Sequence, residues 1–226
     1  MPFARARVAV GVLAATVLLA GCDQFDDAAS AQGVSRNDLI AELATQLGGS
    51  ASLTFEATYQ LAGGNTGTIA QAQEPARTAY RYPGGQVLLT TAATIRCAKS
   101  SCTLTAPPAE ASAPPTTLLA DGQRAGLVAP ATVLNLLKVA ALDADLTVEQ
   151  HDTTIAGRHA TCVELGEVDG AQARAFSACI TNDGVLGSFT GTLGGRAVDV
   201  AMTDYADQVP TDAFDPPRGA TMIDRR

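Results

Sequence analysis

Between residues 35 and 105 the spacing of apolar side chains changes period once. After a capping Ser35 and Asn37-Asp38, the apolar Leu39, Ile40, Leu43 and Leu47 recur at helical spacing up to Gly48-Gly49, which predicts an amphipathic helix. From residue 53 the period falls to two. Leu53, Phe55, Ala57, Tyr59 and Leu61 alternate with Thr54, Glu56, Thr58 and Gln60, the mark of a strand with one buried face. Gly63-Gly64-Asn65 and Pro83-Gly84-Gly85 then punctuate strands over 66–73, 77–82 and 86–91, with shorter ones at 93–97 and 102–105. Short strands joined by tight turns pair antiparallel with their sequence neighbours.

Pro107-Pro108 through Pro114-Pro115 cannot join a sheet ladder, so this stretch is expected as an exposed loop. Past it, Leu118-Leu119 and Leu127-Val128 lead into Pro130, Val133, Leu134, Leu136, Leu137, Val139 and Leu142, with Lys138 the one charge in that run. A helix so apolar is either a core helix across the concave face of a sheet or part of the flexible apolar rim, 118–142, of a ligand cavity. Strands follow at 146–151, 159–165, 174–181, 185–192 and 196–205, with turns at Ala156-Gly157-Arg158, Asn182-Asp183-Gly184 and Gly194-Gly195.

The order helix, strands, helix, strands predicts an α+β fold: one curled, unclosed antiparallel β-sheet, a half-barrel, with helices packed in its concave face. Where the filling helices are short, the leftover volume is a pocket for an apolar ligand. Its expected liners are Leu53, Phe55, Tyr59, Val87, Leu89, Val133, Leu137 and Phe189.

The N-terminus changes where this domain is expected to sit. Arg5 and Arg7 precede an apolar run, Val8 to Ala20, that ends in Leu19-Ala20-Gly21-Cys22. A positive region, a short apolar stretch and small residues make a secretory signal. The last four residues resemble the bacterial lipobox, which implies a signal peptide over 1–21 and acylation of Cys22 as the mature N-terminus. Several acyl chains, at about 0.8 kcal/mol per buried methylene, hold a protein stably on a membrane. The alternatives are an ordinary signal with an unmodified Cys and an uncleaved anchor. Residues 22–34, rich in Asp, Gln, Ala and Ser, read as a flexible tether, and 35–226 as a single domain. The expected location is the extracytoplasmic face of the cell membrane, or the outer membrane where the host has two.

Composition narrows the chemistry. The chain is 46% hydrophobic, enough for a core, and carries a formal charge of -8 with two lysines among 15 basic residues, so no nucleic-acid partner is expected. Export makes disulfides durable, and four cysteines remain after Cys22. Of the three formal connectivities, the local one is favoured. Cys97 and Cys102 flank a polar turn, and Cys162 and Cys179 lie on successive strands. Neither pair has metal-ligand or CxxC spacing, so neither a metal nor another cofactor is expected. His151 and His159 fall in strand-like runs and read as solvent-facing. Ser188, in Leu-Gly-Ser-Phe-Thr, lacks the second Gly of a nucleophile elbow, so no enzyme is expected.

The lipobox, the tether, the strand Leu53-Thr-Phe-Glu-Ala-Thr-Tyr, the two runs of strands and the closing phrase Phe214-Asp-Pro-Pro-Arg-Gly together resemble the LolA/LolB and LprG/LppX superfamily over about residues 35–224. That resemblance implies a half-barrel that binds acyl chains of lipids, glycolipids or lipoproteins for transport or sensing. The paired cysteines and the Pro-rich loop depart from the LolA pattern. The other reading is an anchored envelope interaction or regulatory module with a filled core and no lipid ligand. The expected partners are the membrane, an apolar ligand and an envelope protein, with the domain a monomer.

Overall fold

A computed structural model of the chain describes residues 24–107 and 116–226. The leader, Cys22 and Pro108 to Pro115 lie outside the described residues. The first helix, α1, spans Gln24–Gly49 and so takes in residues 24–34, which the sequence reading assigns to the tether. A capping residue favours a helix start without requiring one, and the Ala-rich stretch before Ser35 has high helix propensity. Further on, Ile40, Leu43, Ala44 and Leu47 form one stripe, at most 4% exposed.

Six strands follow: β1 (Phe55–Leu61), β2 (Thr66–Gln73), β3 (Ala76–Tyr82), β4 (Gly85–Thr90), β5 (Thr94–Ala98) and β6 (Ser101–Thr105). A short helix α2 (Ala120–Arg124) and then α3 (Pro130–Ala140) separate them from the second run. That run is β7 (Thr147–Ile155), β8 (Arg158–Gly166), β9 (Phe176–Thr181), β10 (Leu186–Leu193) and β11 (Arg196–Ala206), and β12 (Thr221–Asp224) ends the series. The strand expected from Arg174 begins instead at Phe176, because the Arg174 carbonyl accepts the Val168 N–H and closes the preceding loop.

All twelve strands join one sheet in the order β12-β6-β5-β4-β3-β2-β1-β11-β10-β9-β8-β7, which does not close on itself. Each run is a meander, and the two meet where β1 pairs antiparallel with β11, Tyr59 opposite Met202 and Leu61 opposite Val200. Only β12 is parallel to its neighbour, β6. Alternation puts Phe55, Ala57, Tyr59 and Leu61 on the same face as Val198, Val200 and Met202. On that face sit α1 and α3, the latter burying Val133, Leu136, Leu137 and Ala140. Within the stretch 118–142, α3 packs as a core helix. Gly184, at φ +85° in the β9–β10 turn, admits α1 closely: a Cβ there would lie 2.5 Å from the Gln46 carbonyl oxygen.

The opposite face has a different cover. Ala70, Ala79, Leu88 and Ile95 are direct neighbours across β2, β3, β4 and β5. The two alanines leave room for Phe214, which packs there with Ala213 and Val209 as the chain leaves β11. The Arg77 guanidinium lies 4.2 Å from the Phe214 ring centre. Arg81 donates to the Asp212 carbonyl at 2.8 Å, and the Gln86 amide to that of Asp215 at 3.2 Å. Residues 207–220 are thus a strap over the back of the sheet, and β12 at its end pairs with β6.

Candidate functional site

Strand direction places the turns. The β1–β2, β3–β4, β5–β6, β8–β9 and β10–β11 connections lie at one rim of the half-barrel, and α1 leads into β1 at the other. Between the rims lies the concave core. It gathers Phe55, Tyr59, Val87, Leu89, Val133, Leu137 and Phe189, each 0–4% exposed, while Leu53 is partly buried at its border. The eight expected cavity liners therefore share one apolar cluster. Phe189 stacks on Phe176 with ring centres 5.9 Å apart.

Two phenols enter this cluster. The Tyr59 hydroxyl donates to the Leu186 carbonyl at 2.9 Å, and burial pushes its pKa up, with Tyr80 and Tyr205 nearby adding to the effect. Burial alone pushes Tyr80 up to about 12. Both groups are neutral at physiological pH. His151 and His159 are exposed on β7 and β8. Among the described residues no three His, Cys, Asp or Glu side chains come together as a metal site, and no helix is long and apolar enough to cross a membrane.

The cysteines pair as Cys97 with Cys102 and Cys162 with Cys179. In both hairpins the bridged residues stand directly opposite each other. Val163 and Leu165 face the core, so Cys162 points away from it, where it packs with Cys179, Ala160 and Ile155. Cys97 likewise shares a strand face with Ile95, under the strap. Both bridges thus staple the convex side.

Two clefts open at the turn-rich rim. One, of about 200 Å³, lies between α3 and the β8–β9 loop and is lined by Leu136, Val139, Ala171 and neighbours. Just past α3, Leu142 is 87% exposed. The second, of about 670 Å³, lies among α2 and three turns and includes Asn65, Gln123, Arg124, Gly126, Arg196 and Val198. Beside it, Asp121 accepts hydrogen bonds from both Arg96 and Arg124, and these, led by the bond from Arg96, hold its carboxyl below the usual range. Burial raises the neighbouring Tyr82 phenol. Neither cleft is visible in the sequence, because the lining residues come from stretches far apart in the chain. The stretch 118–142, which the sequence offers either as a core helix or as the rim of a cavity, is the pointer to this rim, and it contributes residues to both clefts.

No family model matches the chain, and no curated protein matches it. Among solved structures, an uncharacterized conserved protein from Thermus thermophilus is 11% identical with a TM-score of 0.47, over 82% of this chain and 98% of that one. MucB is 12% identical with a TM-score of 0.48, over 81% of this chain and 64% of that one. The Pseudomonas aeruginosa MucA/MucB complex aligns at 14% identity with a TM-score of 0.49, over 81% of this chain and 63% of that one. This chain thus spans less than two thirds of the MucB-containing chains. At such identity, what those proteins do does not transfer.

Proposed function

We propose that the protein is an exported lipoprotein, acylated at Cys22, whose half-barrel takes up an apolar ligand for transport or sensing in the cell envelope. One observation carries the reading: the concave apolar face is closed by α1 and α3, not by strands. A helical cover can shift without breaking the strand-to-strand hydrogen bonds, so a chain can enter from the rim and exchange for side-chain contacts. Burial of acyl surface, at about 25 cal/mol per Å², would supply affinity and leave headgroup selectivity to the rim. The lipobox, the strand pattern and the closing phrase at Phe214 support the same reading through their resemblance to the LolA/LprG carriers.

A second reading, an anchored interaction module with a filled core, is favoured by the near-zero exposure of Phe55, Val87, Val133, Leu137 and Phe189. Native mass spectrometry with lipid extraction, on the full protein purified in mild detergent from its own host, separates the two. A stoichiometric lipid is the result expected of a carrier. A clean apo mass that persists after adding a monoacylglycerol or an acylated peptide leaves the interaction module.

A further inference from the structure

We propose that the 670 Å³ cleft at the rim binds a phosphate-type anion, the headgroup of an amphiphile whose tail enters the concave core. The headgroup assignment rests on the lipid-binding reading above; the anion site itself does not.

Charge is the first argument. The chain carries 23 acidic residues, yet none lines this cleft, whereas Arg124 and Arg196 both do. Arg196 opens β11 on an exposed turn and makes no ion pair among the described residues. Arg124 shares the Asp121 carboxylate with Arg96, so two guanidinium groups stand against one carboxylate and a positive excess remains. Asn65 and Gln123 add amide donors to the same wall. Guanidinium groups suit phosphate because their N–H bonds diverge in a plane that meets two oxygens at once.

Continuity with the core is the second. Val198 lines the cleft and is also a core residue, 3% exposed. The Gly126 backbone, at φ +95°, lines the same cleft and packs on Leu61, another core residue: a Cβ there would lie 3.7 Å from that of Leu61. The cleft therefore has arginines on its walls and core side chains packed beneath its floor, so a tail entering the core displaces that packing. The volume falls in the range of small-molecule sites, roughly 300–1,000 Å³.

Isothermal titration of the full protein tests this with three probes: inorganic phosphate, dihexanoyl phosphatidic acid and uncharged dihexanoylglycerol. We expect phosphatidic acid to bind more tightly than phosphate, and R196Q to weaken both about tenfold, the loss of one charge-assisted contact. R124Q should act in the same direction, and R174Q, on the rim outside the cleft, should leave binding unchanged. Raising ionic strength should weaken phosphate binding in parallel. Phosphate binding that R196Q weakens, with neither lipid bound, keeps the anion site and overturns its role as a headgroup site. Dihexanoylglycerol binding as tightly as phosphatidic acid, with R124Q and R196Q silent, overturns the anion site and leaves the apolar-ligand reading standing. Failure of both phosphate and phosphatidic acid to bind overturns the proposal.

Discussion

The two faces of this sheet are finished by different means. Curling crowds the inner side chains together, and there Phe55, Tyr59, Val87, Phe189 and Val200 make a continuous apolar surface under α1 and α3. On the outside the side chains splay, and apolar clusters shrink to Ala70, Ala79 and Leu88 in one half and Ala160 with Cys162 in the other. Two disulfides and a strap hold what packing alone would hold poorly. Curvature thus divides the work: the concave side is stabilised by buried area, the convex side by covalent links and chain crossing.

The sharpest way to break that division is to empty one large side chain on each face. Phe189→Ala, in the concave core and stacked on Phe176, should cost about 3–5 kcal/mol in urea unfolding. Next come the staples. Replacing Cys162 and Cys179 by Ala opens a link with a sequence separation of 17 and should cost about 3 kcal/mol by loop entropy. The same change at Cys97 and Cys102, separated by 5, should cost about 2 kcal/mol, a difference that denaturant melts of the two variants would resolve. On the convex side Phe214→Ala should cost about 2 kcal/mol, because its cluster is smaller and the strap can settle. A Phe214→Ala cost equal to that of Phe189→Ala would erase the distinction between faces.

The smallest effect concerns pH. A buried neutral phenol whose pKa is pushed from 10.0 up to about 12 adds stability that is complete below pH 10 and lost as pH rises toward 12. Alkaline melts should therefore show stability falling over that window, by up to about 2 kcal/mol from Tyr80. Tyr80→Phe should flatten that part of the curve, while the buried Tyr59 keeps its own contribution.

Much of the concave side is legible in the chain alone, because burial on one face writes a period into the sequence. The alternation from Phe55 to Leu61 and the Gly turns at 63–65 and 84–85 place the strands within a residue or two. The convex side is harder. β12 is exposed at every position, so no alternation marks it, and its partner β6 lies over a hundred residues away. Phe214 stands out for the phrase around it, but the groove it fills depends on Ala70 and Ala79, small residues that look ordinary until their register is known. The arginine cleft is not legible at all: Arg124 and Arg196 line one cleft only because α2 and the β10–β11 turn share a rim.

The junction of β1 with β11 also sets the order in which the molecule can be built. Each meander consists of hairpins whose partners are close in the chain, and each contains its own local disulfide, so either can form as soon as its strands are available. The seam between them pairs Leu61 with Val200 and Glu56 with Ala206, contacts that wait for nearly the whole chain. Pairing across such a separation is slow, because loop closure comes before its reward. Assembly should therefore proceed through two stapled halves whose apolar faces stay open until residue 206 has arrived, and that interval is when the chain is most exposed to aggregation and most dependent on whatever escorts it.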